Sequence, residues 1–270
     1  MQSEAACAAS ASRIGVLTLG HTGHQTDRDF NSGSRESQLG DLLKSKLEER
    51  AGEPEAAVSH SWIGYVAPMG LFMALTVVEG QMPAYYVWLY ILKAVLVTGC
   101  LYIYRSTLRD YRFDARMLLP SIIVGLVVCA EWLLIDQHIP YPHLGKRSAF
   151  DPHIIAQPLQ TIFLLVRFYG LVVMVPVMEE LFWRSFLIRY ITQPDYERLS
   201  IGTFSWLAFW AVSGMFALAH PEWLVALICA VVYGLLLRRT KSLFATLVAH
   251  SVTNLTLGIY VLATHNYAYW

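Results

Sequence analysis

Four residues in the second half of the chain, Glu179, His220, His250 and Asn254, are polar side chains set in apolar surroundings. The densest segment is Val175-Pro176-Val177-Met178-Glu179-Glu180-Leu181-Phe182-Trp183-Arg184. Glu180 and Arg184 stand one helical turn apart, so a carboxylate–guanidinium pair can close on the helix itself. Glu179 is left over, rotated by about 100° from its neighbour. His220 ends the run Phe216-Ala217-Leu218-Ala219-His220, and His250 and Asn254, four apart, project from one helix face. A carboxylate and an imidazole can hold and deprotonate a water. An imidazole and an amide N–H can bind a developing oxyanion. Such a set suits hydrolysis of a peptide bond.

Those residues must be positioned by membrane helices. The chain is 270 residues long, 56% hydrophobic and only 15% charged, with a mean hydropathy of +0.44. Ordinary soluble domains carry about 25% charged residues. Net charge is +0 and no basic tract occurs, which argues against a nucleic-acid partner. Cys7, Cys100, Cys129 and Cys229 show no paired spacing, which argues against a disulfide scaffold.

Apolar runs begin at Trp62 and lie near 62–79, 84–104, 117–135, 158–191, 202–220, 222–237 and 242–262. Each crossing needs roughly 20 residues. The expected fold is therefore all-α: a polytopic membrane helical bundle of about seven transmembrane helices over 61–270. Ten-residue alternating segments, which a β-barrel requires, do not occur. Residues 1–60 hold six Lys/Arg and nine Asp/Glu and read as a mobile, poorly ordered polar extension. Helical spacing at Leu39, Leu42, Leu43 and Leu47 suggests one short amphipathic helix within it. No secretory signal pattern follows Met1.

With the N-terminus in the cytoplasm, inside loops hold Arg105, Arg109, Arg112, Arg116, Arg189, Arg198, Arg238, Arg239 and Lys241, and outside loops only Lys146 and Arg147. This asymmetry sets the expected orientation. Run 158–191 is too long for one straight span, and a straight helix from Pro158 would carry Glu179 about 31 Å along. We therefore expect a break, with the crossing helix at about 170–191 and residues 154–169 lying partly in the interface or kinked before Pro176.

The triplet Glu-Glu-x3-Arg, Phe-x3-His and His-x3-Asn, in that order at 179–184, 216–220 and 250–254, resembles the type II CAAX prenyl endopeptidases and their bacterial relatives, the CPBP family of bacteriocin-processing enzymes. The likeness covers about 158–262, and the proline before the two glutamates fits it. The segment also resembles the subset that accompanies bacterial exosortase (PEP-CTERM) sorting systems.

What the resemblance implies is an intramembrane endopeptidase of the bacterial inner membrane, acting in the lipid bilayer on a protein or peptide near its C-terminus or leader. Glu179 with His220 would activate water, His250 and Asn254 would stabilise the oxyanion, and Glu180 with Arg184 would brace the site. No cofactor is expected; the alternative is a zinc ion held by the two imidazoles and the carboxylate, although the His-Glu-x-x-His arrangement is absent. A transporter relaying protons and a non-catalytic scaffold are the rival classes. Among the remaining charges, Glu131 and Arg167 fall at similar depth and suggest an interhelical ion pair. Lys93 is expected to snorkel or line the cavity, and His138, His143 and His153 form a loose outer group.

Overall fold

The computed structural model describes residues 40–42, 44, 45, 62–145 and 149–269. The chain divides into two units, Met1–Val58 and Ser59–Trp270. In the first, residues 40–42, 44 and 45 are helical and exposed; the rest of the expected extension and its amphipathic helix lie outside the described residues, as do Lys146 and Arg147.

Among the described residues the second unit is helical and has no strand. Its helices are α1 (Ile63–Gln81), α2 (Tyr86–Ile103), α3 (Leu118–His138), α4 (Leu159–Thr192), α5 (Trp206–Leu218), α6 (Trp223–Thr240) and α7 (Leu243–Thr264). Six are long and apolar enough to cross a membrane; α5 is not. At 1.5 Å per residue its 13 residues reach about 20 Å, short of a core of about 30 Å. The expected count of seven spans therefore stands at six long helices and one short apolar one.

Helix ends follow local chemistry. The Ser205 and Ser242 side chains accept from the Ala208 and Ala245 N–H groups and start α5 and α7. Arg238 and Arg239 fill the last turn of α6, where cations meet the negative end of the helix dipole. Lys241, at φ 55°, turns the chain into α7.

Apolar side chains such as Trp88, Val95, Leu119, Leu165 and Leu207 point outward and are exposed. On a soluble protein so much outward apolar surface would be a liability; on a membrane bundle it is the face toward acyl chains. Inside, α3 and α7 approach closely. A Cβ on Gly125 would stand 2.5 Å from the Ala249 carbonyl oxygen and 2.8 Å from Val252 Cβ, so only glycine fits. Thr253 Oγ1 donates to the Gly125 carbonyl at 2.8 Å and fixes the crossing.

Helix α4 does not break. Its backbone stays helical through 34 residues but changes register twice. It is α-helical over Leu159–Tyr169, π-helical over Gly170–Met174, α-helical over Val175–Glu179, π-helical over Glu180–Leu187 and α-helical over Ile188–Thr192. The expected interruption is thus a pair of wide turns around Pro176, which are a common way for a helix to absorb a missing donor. In the first wide turn the Val175 N–H reaches back to the Gly170 carbonyl. By the same register the Leu171 carbonyl would look to residue 176, a proline with no N–H. Asn254 supplies the missing donor: its Nδ2 lies 2.9 Å from that oxygen. Gly170 is needed here because a Cβ would stand 2.3 Å from the Tyr90 hydroxyl.

Candidate active site

Glu179 and Glu180 sit at the junction between the second α-helical piece of α4 and its second wide turn. Both are buried, Glu180 completely. Glu180 Oε1 accepts from Arg184 Nη1 at 3.1 Å and from His250 Nδ1 at 2.9 Å. The pair inferred from spacing therefore exists, and the same oxygen also anchors an imidazole 70 positions later in the chain. Because Nδ1 faces a carboxylate it carries the hydrogen, and this orients the ring and leaves Nε2 for other partners. Tyr233 of α6 packs against that ring at 5.5 Å and donates to Thr253 Oγ1 at 2.7 Å.

Arg184 extends the network toward His220. Its guanidinium lies over the Phe216 ring at 4.4 Å and near Tyr233 at 5.5 Å. The Phe216 and His220 rings are 4.5 Å apart, and Trp132 of α3 flanks His220 at 6.2 Å. His220 follows the end of α5 in a tight turn, and its Nδ1 is 2.8 Å from the Phe216 carbonyl. A carbonyl only accepts, so Nδ1 again carries the hydrogen and Nε2 keeps its lone pair. The run His220–Phe216–Arg184–Glu180–His250 is one continuous set of contacts across α5, α4 and α7.

Glu179 stands apart from this set. Its Oε2 is buried with no hydrogen-bond partner, and the residue forms no hydrogen bond or ion pair with any other described residue. Desolvating a carboxylate without compensation is costly, so a polar species must meet it. Asn254 spends one amide hydrogen on Leu171, the interhelical bond described above, and has a second to offer.

The loop before α4 holds the His220 turn in place. Leu144 N–H donates to the Pro221 carbonyl and Trp223 Nε1 to the Pro142 carbonyl, both at 2.8 Å. His143 Nε2 is 2.9 Å from Asp136, His138 bonds the Leu134 carbonyl, and His153 lies beside Asp151. These three histidines serve separate local structures rather than one cluster.

Two further expectations change. Glu131 does not pair with Arg167: both its oxygens are buried without a partner, while the Arg167 guanidinium lies 4.6 Å over Tyr90. Counting depth placed them level, but α3 packs on α7 and α6, whereas the start of α4 packs on α2. Lys93 does not snorkel; it forms a buried ion pair with Glu79 and donates to Thr76 Oγ1.

Tyr111 was not singled out from sequence. It reaches in from the loop after α2 and donates to the Val177 carbonyl at 2.8 Å, at the mouth of the second wide turn. Its burial, then the Glu180 and Asp110 carboxylates, hold the phenol well above its ordinary range, so it remains a donor. A lone tyrosine amid the arginines of 105–116 was the available signal.

The donor types of Glu179, His220 and His250 suit zinc chemically. Among the described residues, however, no three His, Cys, Asp or Glu side chains form a group that could hold a metal ion.

Residues 161–256 match the family model described as Rce1-like, type II CAAX prenyl endopeptidase Rce1-like. That segment is a little over a third of the chain and contains Glu179, Glu180, Arg184, His220, His250 and Asn254. No curated protein and no solved structure matches the chain significantly.

Proposed function

We propose that this chain, with its Rce1-like type II CAAX prenyl endopeptidase domain at 161–256, is an endopeptidase that cleaves a membrane-associated protein or peptide within the bilayer. The observation that carries the reading is Glu179 Oε2, buried and unpartnered beside a network that ties down both of its neighbours in the motif. Glu180, one position on, is paired, and what sets Glu179 apart from the equally unpartnered Glu131 is its place beside that network.

In this reading Glu179 and the lone pair of His220 Nε2 hold the attacking water. The water oxygen bonds to the scissile carbonyl carbon while its proton passes to Glu179. The carbonyl oxygen becomes an oxyanion that accepts from Asn254 Nδ2, with the His250 ring, oriented through Nδ1 by Glu180, beside it. Collapse of the adduct breaks the C–N bond, and the departing amine takes the proton from Glu179. Water and peptide are consumed, and a carboxylic acid and an amine are formed. Glu180 and Arg184 act through His250 and are positioning residues.

The route we propose is metal-free, with the carboxylate and the two imidazoles acting directly, and the basic loops support an N-terminus in the cytoplasm of a bacterial inner membrane. The substrate class we propose is a protein with a C-terminal sorting tail or a leader. Such tails or leaders encoded by genomic neighbours would support this assignment.

The test expresses wild type, Glu179→Ala and His220→Ala in membranes and compares the new N- and C-termini of membrane proteins by mass spectrometry. A terminus lost in both variants is expected. If both variants match wild type, the peptidase reading fails. Complete loss of activity in chelator, restored by zinc, would overturn the metal-free route.

A further inference from the structure

At the end of the bundle opposite His220, three interhelical connections meet. Residues 109–114 follow α2, residues 199–201 follow α4, and residues 240–243 join α6 to α7; together with Arg189 they line a cavity of about 640 Å³. Four cations border it: Arg109, Arg112, Arg189 and Lys241.

Two of the four are already engaged. Arg189 is buried, bonds Asp110 Oδ2 at 3.1 Å, and also reaches the Ser185 and Leu199 carbonyls. Asp110 in turn accepts from Tyr65 and Ser185. Arg189 thus cancels Asp110 and forms a buried, fully engaged part of the cavity wall. Lys241 donates to the Gly202 carbonyl but faces no anion. Arg109 and Arg112 are exposed and make no hydrogen bond or ion pair with any other described residue. Asp114 caps the Arg116 N–H and is the one acid in the lining not matched by a cation. The charge balance leaves Arg109, Arg112 and Lys241 against Asp114, a surplus of two positive charges around a preformed hollow.

We propose that this hollow binds a phosphate-bearing anion, clamped by the two arginine forks and the Lys241 ammonium. Arginine offers paired N–H donors that match phosphate oxygens. Basic pockets between transmembrane helices recurrently seat anionic lipid headgroups. Phe113, 73% exposed and edge-on to Phe244 at 5.1 Å, supplies apolar surface at the rim where acyl chains would begin. The wall residue Arg189 lies on α4, the helix that carries Glu179 and Glu180. An occupied site would therefore clamp the base of that helix, and this holds whether or not the chain is a peptidase.

The test uses purified full-length protein in a neutral detergent, with thermal unfolding followed as ligand is added. One arm adds phosphatidylglycerol or cardiolipin, a second phosphatidylcholine, and a third inorganic phosphate or pyrophosphate. The expected result is a saturable stabilisation by the anionic lipids and none by phosphatidylcholine, with apparent affinity about tenfold weaker in Arg109→Gln/Arg112→Gln. The control Arg116→Gln/Arg239→Gln removes equal charge from exposed positions outside the hollow and should leave affinity unchanged. Stabilisation by pyrophosphate at similar concentration, lost in the same double variant, would support the site and assign it a soluble ligand. No anion-dependent shift, or equal weakening in the control, would overturn it.

Discussion

Replacing Glu180 tests the buried network most directly. Both its hydrogen bonds converge on Oε1, from Arg184 and His250, and all three side chains are at least nine-tenths buried. Glu180→Ala leaves the Arg184 guanidinium as a buried charge without its carboxylate, a loss of about 3–5 kcal/mol. The missing acceptor for His250 adds about 1 kcal/mol. Because the two interactions share one oxygen the losses do not simply add, and about 4 kcal/mol is the expected total. At roughly 2–4 °C per kcal/mol for a chain of this size, the melting temperature should fall by about 10 °C.

Glu180→Gln separates charge from hydrogen bonding. Its amide oxygen can take the place of Oε1 and accept both bonds, and its NH2 replaces Oε2, which has no partner. Charge balance then decides the outcome, so Glu180→Gln should lose at least half as much stability as Glu180→Ala. Adding Arg184→Met to Glu180→Gln removes the orphaned cation and should recover at least half of that loss. The assay is thermal unfolding of detergent-solubilised protein followed by tryptophan fluorescence. Should Glu180→Gln melt within about 1 °C of wild type, or the double variant fall below both single variants, the charge-balance reasoning is wrong.

Glu179→Gln should leave stability within about 1 kcal/mol of wild type, since its buried oxygen has no partner to lose, yet lower processing by about 100-fold or more; the same preparation, melted and then assayed, separates the two. Gly125→Val should cost about 1–3 kcal/mol by forcing α3 away from the Ala249 carbonyl, and a melting temperature equal to wild type would mean that the close approach is not real. Glu131→Leu should raise the melting temperature, because two buried carboxylate oxygens without partners are removed from the α3 face; a lower one would show that Glu131 has a polar partner.

The sequence revealed the parts of the site that lie on one helix and little of what joins helices. The Glu180–Arg184 pair followed from four-residue spacing, and both charges lie within one turn of α4. The bond from His250 to Glu180 did not, since only the packing of α7 on α4 brings those positions together. The Glu131–Arg167 expectation failed for a related reason: rise per residue gives depth in the membrane but not the side of the bundle a residue faces. Pro176 signalled disturbance in α4, and disturbance is present. Whether it would break the helix or widen it depended on donors from elsewhere, Asn254 on α7 and Tyr111 in a loop, which meet the Leu171 and Val177 carbonyls. Span count suffered similarly: apolar residues around 202–220 are visible in the letters, but α5 starts only where Ser205 caps it.

The two π segments of α4 give that helix slack. Each can be viewed as a regular turn into which one surplus residue has been threaded, so losing one there would tighten the coil without severing it. Five residues in a wide turn and four in a regular one sweep nearly the same angle, so such a loss from 170–174 would leave Glu179 facing close to its present direction. Single-residue deletions, usually ruinous in a packed helix, can thus be absorbed here as a shortening of α4 by one residue's rise.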